Sequence, residues 1–502
     1  MGIIEENRHL EESDKRYIWH PFTQMKEWLE EKPIIIAEGR DCFIKDICGN
    51  WYLDGVSSLW VNIHGHRKKK IDDAIKEQLD RIAHSTMLGL SNVPAIKLAE
   101  RLVKIVNQSL VSSQSDSQIA GQSDSQVTGR STGQTGHPGY QTTGLSTNRL
   151  TKVFYSDNGS TAVEVALKMA FQYWIHKGIK GKTAFLSLNN AYHGDTLGAV
   201  SVGGIDIFHS VFGPLLFKTY KAPSPHCYRC ELNARYPSCN LRCLEGIAEI
   251  LKVHSGEIAA FIIEPLVQAA GGMIVAPSGY LKGVRELCTK YDVLMIADEV
   301  ATGFGRTGRM FACEHEGVVP DILCLSKGIT GGYLPLAVTI TTEEIYNAFL
   351  GEFKNQKTFF HGHSYTGNPL ACAAALACLD IFEREEIIKN LEPKIELLGA
   401  YLKEVSGLDH VGDVRSRGLM AGIELVKDKS TKEPYPWEGR MGWRVAYYAR
   451  EKGVFIRPLG NVVVIMPPLA ISLENLEQLL KIIKEGIINA TLPALLSCCP
   501  ET

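Results

Sequence analysis

The chain has 502 residues, with 53 Lys and Arg against 56 Asp and Glu and 45% apolar residues, the balance of an ordinary water-soluble globular protein. A net charge of −3 offers no basic field for nucleic acid, and no run approaches the ~20 apolar residues of a membrane helix, so neither partner is expected. The charged N-terminus lacks the apolar stretch of a secretory signal. Thirteen cysteines, an odd number scattered through apolar segments, read as reduced thiols, and together these features predict a cytoplasmic location.

In chain order, short strands are predicted at residues 34–36 and 41–46. Residues 111–149 then stand apart, with SDSQ written twice and almost no large apolar side chain. Such a stretch cannot offset its ordering entropy by burial and reads as a low-complexity, disordered insertion. Apolar runs at 152–155, 183–188, 258–263, 293–297 and 322–325 alternate with helical stretches. One of these places Ala162, Val165, Ala166 and Met169 at the i, i+3, i+4, i+7 spacing of a buried face. Continuous apolar strands alternating with helices predict an α/β fold with a mostly parallel sheet covered on both faces. The last 125 residues carry charged helical stretches and strands near 419–425 and 454–466, which suit a smaller α+β domain. The predicted organisation is an N-terminal segment 1–75 packing with the small domain, a large domain 76–375, and the small domain 376–502.

Three strand ends carry chemistry. After the first, Gly159 and Ser160 precede a helix in which Thr161 and Glu164 fit a capping box, and free N–H groups at a helix start suit a phosphate. After residues 293–297 come Asp298 and Glu299, where an open α/β sheet places its ligands. After 322–325 come Ser326, Lys327 and a glycine-rich stretch; a lysine desolvated there has a lowered pKa and can condense with an aldehyde. Each feature alone has an ordinary alternative: a capped helix, a solvated strand end, a surface lysine. Together they are the parts pyridoxal phosphate (PLP) needs: a phosphate anchor, a carboxylate that keeps the ring nitrogen protonated, and an amine that holds the aldehyde and carries the proton. Tyr192, beyond another strand end, could cover the ring. The segment 303–308 matches G-x-G-x-x-G but neither follows the first strand nor opens a helix, so a nicotinamide oxidoreductase is the runner-up. A non-catalytic scaffold is a third class.

These residues resemble the class III aminotransferases of PLP fold type I. The matching segments are Ile263-Glu264-Pro265, Ala297-Asp298-Glu299-Val300 with the 302–308 stretch, and Ser326-Lys327-Gly328. The resemblance implies a large domain with a mostly parallel seven-stranded sheet plus a small domain, and a homodimer that shares its active sites. Residues 18–23, 57–60 with 63–65, 192–196, 361–370 and 456–458 are similar to the branch that converts 8-amino-7-oxononanoate to 7,8-diaminononanoate in biotin biosynthesis. That likeness implies Lys327 as the catalytic residue and Gly159, Ser160, Tyr192, Asp298, Lys327, His363 and Ser364 as the cofactor-binding set, with His363 and Ser364 reaching the partner's phosphate. It implies Phe22, Leu59, Trp60, Tyr192, Lys327, Gly362 and Arg457 around the substrates, with Arg457 pairing the substrate carboxylate. The family default for the amino donor is S-adenosylmethionine. That branch has Tyr where Phe22 stands, Trp where Leu59 stands and Pro-Thr where His363-Ser364 stand; the pattern here is closer to a branch that uses L-lysine.

No catalytic metal ligands are expected. Cys227, Cys230, Cys239 and Cys243 have spacing similar to a small zinc knuckle, and the alternative is four reduced thiols in a compact loop.

Overall fold

The computed structural model describes residues 2–119 and 149–492. Of the 111–149 insertion, residues 120–148 lie outside the described residues; the helix Val93–Ile119 runs into its first part.

In chain order the strands are β1 (Ile36–Arg40), β2 (Phe43–Asp46), β3 (Trp51–Asp54), β4 (Leu150–Ser156), β5 (Ala184–Leu188), β6 (Thr219–Ala222), β7 (Ile258–Ile263), the short β8 (Val267–Gln268) and β9 (Ile274–Val275), β10 (Leu294–Asp298), β11 (Ile322–Leu325), β12 (Ala337–Thr342), β13 (Val411–Arg417), β14 (Met420–Asp428), β15 (Glu433–Pro434), β16 (Val454–Phe455) and β17 (Val462–Ile465). Seven of them form the central sheet in the order β4-β12-β11-β10-β7-β5-β6. All run parallel except β12, which is antiparallel to both its neighbours. Every residue of β5, β7, β11 and β12 is buried, because helices cover both faces. The Gly159–His176 helix packs Ala162, Val163, Ala166 and Ala170 on one face, and the alanine-rich Pro369–Arg384 helix contributes Ala371, Ala374 and Cys378 to the core.

Two strands of this sheet escape a reading of apolar runs. β12 alternates Val338 and Ile340 with threonines that look solvent-facing but are buried: Thr339 Oγ1 donates to the Ala162 carbonyl at 2.9 Å and Thr341 Oγ1 to that of Asp321 at 3.3 Å. β6 is a four-residue edge strand containing a lysine, and that Lys221 donates to Ser187 Oγ at 2.7 Å. The expected strand at 34–36 is displaced, since β1 begins at Ile36. The capping box is also corrected. The cap is Asn158, whose side chain accepts the Thr161 N–H at 3.1 Å while Thr161 Oγ1 accepts the Asn158 N–H at 3.2 Å. Glu164 instead accepts the Gly198 N–H at 2.7 Å. The helix therefore starts earlier than expected and takes Gly159 and Ser160 into its first turn.

The chain's two ends meet. β1, β2 and β3 form an antiparallel meander, and β16, some 400 residues later, adds in parallel to β3 with Val454 opposite Leu53. β13, β14, β15 and β17 form a separate sheet. Arg306, 1% exposed, ties these parts to the large sheet: its guanidinium donates to the Pro467 carbonyl at 2.6 Å and the Asn62 carbonyl at 2.8 Å. Replacing this side chain strands two buried acceptors, each worth about 1–3 kcal/mol. Arg306→Met is expected to lower the free energy of unfolding by at least about 2 kcal/mol, read from the urea midpoint at unchanged m-value.

Candidate active site

The sheet's register brings its functional groups to one edge. In β10 and β7, Ala297 pairs with Ile263, so the next residues, Asp298 and Glu264, leave the sheet side by side. Asp298 also pairs with Cys324 of β11, three residues before Lys327. β12, running the other way, begins at this edge with Ala337 opposite Ser156, the residue before Asp157-Asn158-Gly159. Tyr192 and His193 lie just beyond the end of β5. The result is a cavity of about 730 Å³ lined by Gly159, Ser160, Tyr192, His193, Glu264, Asp298 and Lys327, with Leu59 and Trp60 in its wall.

Each group is held in place. Asp298 is 5% exposed; its carboxylate lies 2.7 Å from His193 Nδ1 and accepts the Val300 N–H at 3.1 Å. Lys327 opens the 3₁₀ turn Lys327–Thr330 with φ of 42°, left-handed backbone that an ordinary side chain adopts at some expense. Part of its surface faces the cavity, but protein encloses its ammonium. Desolvation holds its pKa below the usual lysine value, against the opposing pull of Asp298 and Glu264. Its Nζ sits 5.3 Å from the Trp60 ring centroid. Tyr192 donates its hydroxyl to Asp195 at 2.6 Å, and its N–H to Glu264 at 3.1 Å. Glu264 also accepts the Ala269 N–H at 3.0 Å; burial, and then the charge of Asp298, push its pKa up to about 8. Gly194, at φ 120°, has no room for a side chain, since a Cβ would fall 2.1 Å from Ser160 Oγ.

Leu59 and Trp60 reach the cavity on a left-handed turn. Ser57, Ser58, Leu59 and Trp60 have φ of 54°, 49°, 68° and 71°. Asp54, fully buried, braces it: its carboxylate accepts the Ser58 hydroxyl at 2.8 Å and the Val56 N–H at 3.2 Å.

Not every predicted site residue lines this cavity. Phe22 and Arg457 border a second one of about 600 Å³, between the N-terminal segment and the last third of the chain, where Arg457 donates to the Phe22 carbonyl at 3.3 Å. Phe22 meets Phe208 edge-on at 5.3 Å, and Phe208 in turn lies 6.3 Å from Tyr192. Gly362, His363 and Ser364 line neither; Gly362 and Ser364 are exposed, and His363 Nε2 is buried without a partner. The adjacent acid, Glu299, turns away from the cavity and accepts the Ala312 and Cys313 N–H groups at 2.6 and 2.9 Å. His193 and Glu264 were given no role from the sequence, although each sits directly beside a predicted residue or strand end. The 303–308 stretch opens no helix.

The family model for class III aminotransferases matches residues 25–119 and 132–487. The chain belongs to the class III aminotransferase family. It is 53% identical over 96% of its length to the adenosylmethionine-8-amino-7-oxononanoate aminotransferase of Geobacter sulfurreducens, covering 98% of that protein. The crystal structure of the enzyme of the same name from Methanocaldococcus jannaschii superposes with a TM-score of 0.85 at 48% identity, over 97% of this chain and 100% of that one. A PLP-bound amine transaminase from an uncultivated Pseudomonas species follows at a TM-score of 0.83 and 36% identity, covering 94% and 99%. The fold is thus PLP fold type I, and this aminotransferase uses PLP. Its cavity fits that cofactor: it has the volume of a small-molecule site, first-turn N–H groups that the Gly159–His176 helix cannot itself satisfy, a fixed carboxylate and an enclosed amine.

The lowered pKa of Lys327 has a sign in stability. Below its folded value the buried ammonium is charged in both states and its full penalty is present; the penalty fades as pH rises towards the unfolded value near 10.5. Lys327→Met is therefore expected to raise the Tm of cofactor-free protein at pH 6–7, with a gain that shrinks towards pH 10. A constant gain would point to packing rather than charge.

Proposed function

We propose that this aminotransferase converts 8-amino-7-oxononanoate to 7,8-diaminononanoate in biotin biosynthesis, with S-adenosylmethionine as amino donor. The supporting observation is the gathering of Gly159, Ser160, Tyr192, Asp298 and Lys327 on one cavity, in a chain half identical over nearly its full length to a protein named for that reaction. PLP supplies, when bound, an aldehyde that condenses with amines and a ring that accepts the electron pair left by a departing proton. Gly159 and Ser160 would bind its phosphate, Asp298 would keep a proton on its ring nitrogen, and Tyr192 would lie along its face. His193 aims Asp298, and Glu264 holds the Tyr192 backbone. Lys327 Nζ, kept less basic by its enclosure, would hold the cofactor's aldehyde and carry the proton. Phe22, Leu59, Trp60 and Arg457 would contact the substrates, the guanidinium of Arg457 taking the acceptor carboxylate.

The active unit in this reading is a cytoplasmic homodimer, with Gly362, His363 and Ser364 of the partner subunit completing each site. Three observations support it. Those residues miss the cavity of their own chain, Phe360 and Leu88 are 79% and 68% exposed near them, and no helix among the described residues is long and apolar enough to cross a membrane. We read residues 76–375 as the large domain, and 376–502 together with 1–75 as the small one. L-lysine as donor is the second reading. Leu59, 51% exposed at the cavity wall, and Phe22 offer neither an indole nor a phenolic hydroxyl to a purine.

Lys327→Ala is expected to abolish turnover while the protein retains PLP non-covalently. In single-turnover mixing, S-adenosylmethionine should discharge the bound-cofactor absorbance and 8-amino-7-oxononanoate should restore it. Discharge by L-lysine alone would transfer the assignment to the second reading, and discharge by neither would overturn the substrate. Arg457→Ala is expected to raise the KM for the oxo-acid roughly tenfold or more, the loss of a charge-assisted pair, with the donor half-reaction little changed.

A further inference from the structure

We propose that Cys227, Cys230, Cys239 and Cys243 form a thiolate site for one soft divalent cation of the zinc class, which fixes the loop between β6 and the Cys243–His254 helix. The spacing C-x₂-C-x₈-C-x₃-C places four soft ligands within 17 residues. All four cysteines border one small cavity of about 20 Å³, the scale of a single ion or water rather than of an organic ligand. All four are free thiols.

The loop needs something to order it. From His226 to Gly246 no residue is buried, and no helix or strand occurs before Cys243. Fixing each residue opposes folding by about 1–2 kcal/mol, and of this stretch only Cys243 and Leu244 pack against the hydrophobic core to offset that. It is nonetheless wound into tight turns: Asn233 N–H donates to Cys230, Asn240 N–H to Pro237 and Arg242 N–H to Cys239, at 3.0, 3.0 and 3.1 Å. Asn233, Asn240 and Leu241 take left-handed φ of 50°, 48° and 59°. A tetrathiolate centre supplies the missing free energy, because metal binding by such loops is itself folding energy.

The adjacent group His226, Asp413 and Glu424, whose ligand atoms lie within 4.8 Å of one another, is no rival site. Arg415 pairs with Asp413 at 2.7 Å and Glu424 at 2.8 Å, and Arg229 with Glu424 at 2.5 Å, so guanidinium charge already occupies it. The thiols form no group of three within that 4.8 Å spacing, so ligation requires the loop to close further around the ion.

The site is structural. It shares no lining residue with the Lys327 cavity. The loop links two halves of the molecule: Arg229 reaches Glu424 of β14, Lys432 Nζ donates to the Tyr228 carbonyl at 2.6 Å, and Ser224 donates to Gln268 of β8 at 2.5 Å.

The test uses full-length, PLP-loaded enzyme without a polyhistidine tag, purified under reducing conditions from zinc-supplemented cells. Elemental analysis after gel filtration should find one zinc per chain. Removing the metal and adding Co²⁺ should give the thiolate charge-transfer and ligand-field bands of a tetrahedral tetrathiolate. Cys230→Ser and Cys239→Ser should each lose at least nine-tenths of the metal and lower the Tm by about 5 °C, whereas Cys48→Ser, at an exposed thiol elsewhere, changes neither. If the variants do not fold, the cobalt spectrum of the wild-type enzyme decides. Less than about a tenth of an equivalent of metal in both isolated and zinc-reconstituted protein, or full metal in both variants, overturns the proposal.

Discussion

The parallel register of β11, β10, β7 and β5 is the constraint on which the site depends. Neighbouring strands lie about 4.8 Å apart, so residues that leave the sheet at the same level emerge within reach of one cofactor-sized molecule. Ala297 opposite Ile263 and Asp298 opposite Cys324 set that level for Asp298, Glu264 and the lysine turn. A slip of one residue in β10 would send Asp298 to the other face and bring Ala297 or Glu299 to the edge. The antiparallel β12 extends the same edge by delivering Ser156 and the start of the Gly159–His176 helix to it.

A second device holds the opposite wall. The left-handed turn Ser57–Trp60 opposes folding by about 1–2 kcal/mol at each of its four residues, and survives because the structure around it is over-determined. Asp54 accepts the Ser58 hydroxyl and the N–H of Val56 just before the turn, Ser57 Oγ donates to the Met466 carbonyl at 2.6 Å, and Gly55 exchanges backbone bonds with Phe455 and Met466 at 2.8 and 3.0 Å. A Cβ at Gly55 would lie 2.7 Å from Ile456. Residues 54–60 are thus shaped by residues 455–466, and the position of Trp60 over Lys327 depends on the closure of β16 onto β3. This gives a physical reason for the two chain ends to meet beside the site.

Much of the large sheet and its chemistry is legible in sequence because both rest on local pattern. The runs at 258–263 and 322–325 coincide with β7 and β11, and the polar residues that follow such runs are the ones on the cavity. What is not legible is non-local or stereochemical. The buried threonines of β12 read as solvent-facing because their hydroxyls find carbonyls only in the fold. Asn158 rather than Thr161 caps the helix, a choice made by backbone geometry that leaves both options open in the letters. The left-handed turn has no glycine to announce it. Phe22 and Arg457 stand 435 positions apart, and only the meeting of the chain ends places them on one cavity.

The arrangement also explains why the site can carry so many ionisable groups without losing the fold. Lys327, Asp298 and Glu264 are each unfavourable to bury alone, and together they partly compensate: the two acids favour the ammonium, and the ammonium and two backbone N–H groups favour the Glu264 carboxylate, against burial and the charge of Asp298. A cluster balanced in this way responds strongly to a change in any one member. Loss of the proton from Lys327 would make the field on Asp298 and Glu264 more negative. That change would favour a proton on any basic nitrogen held against Asp298, so the lysine and the acid are coupled through one field.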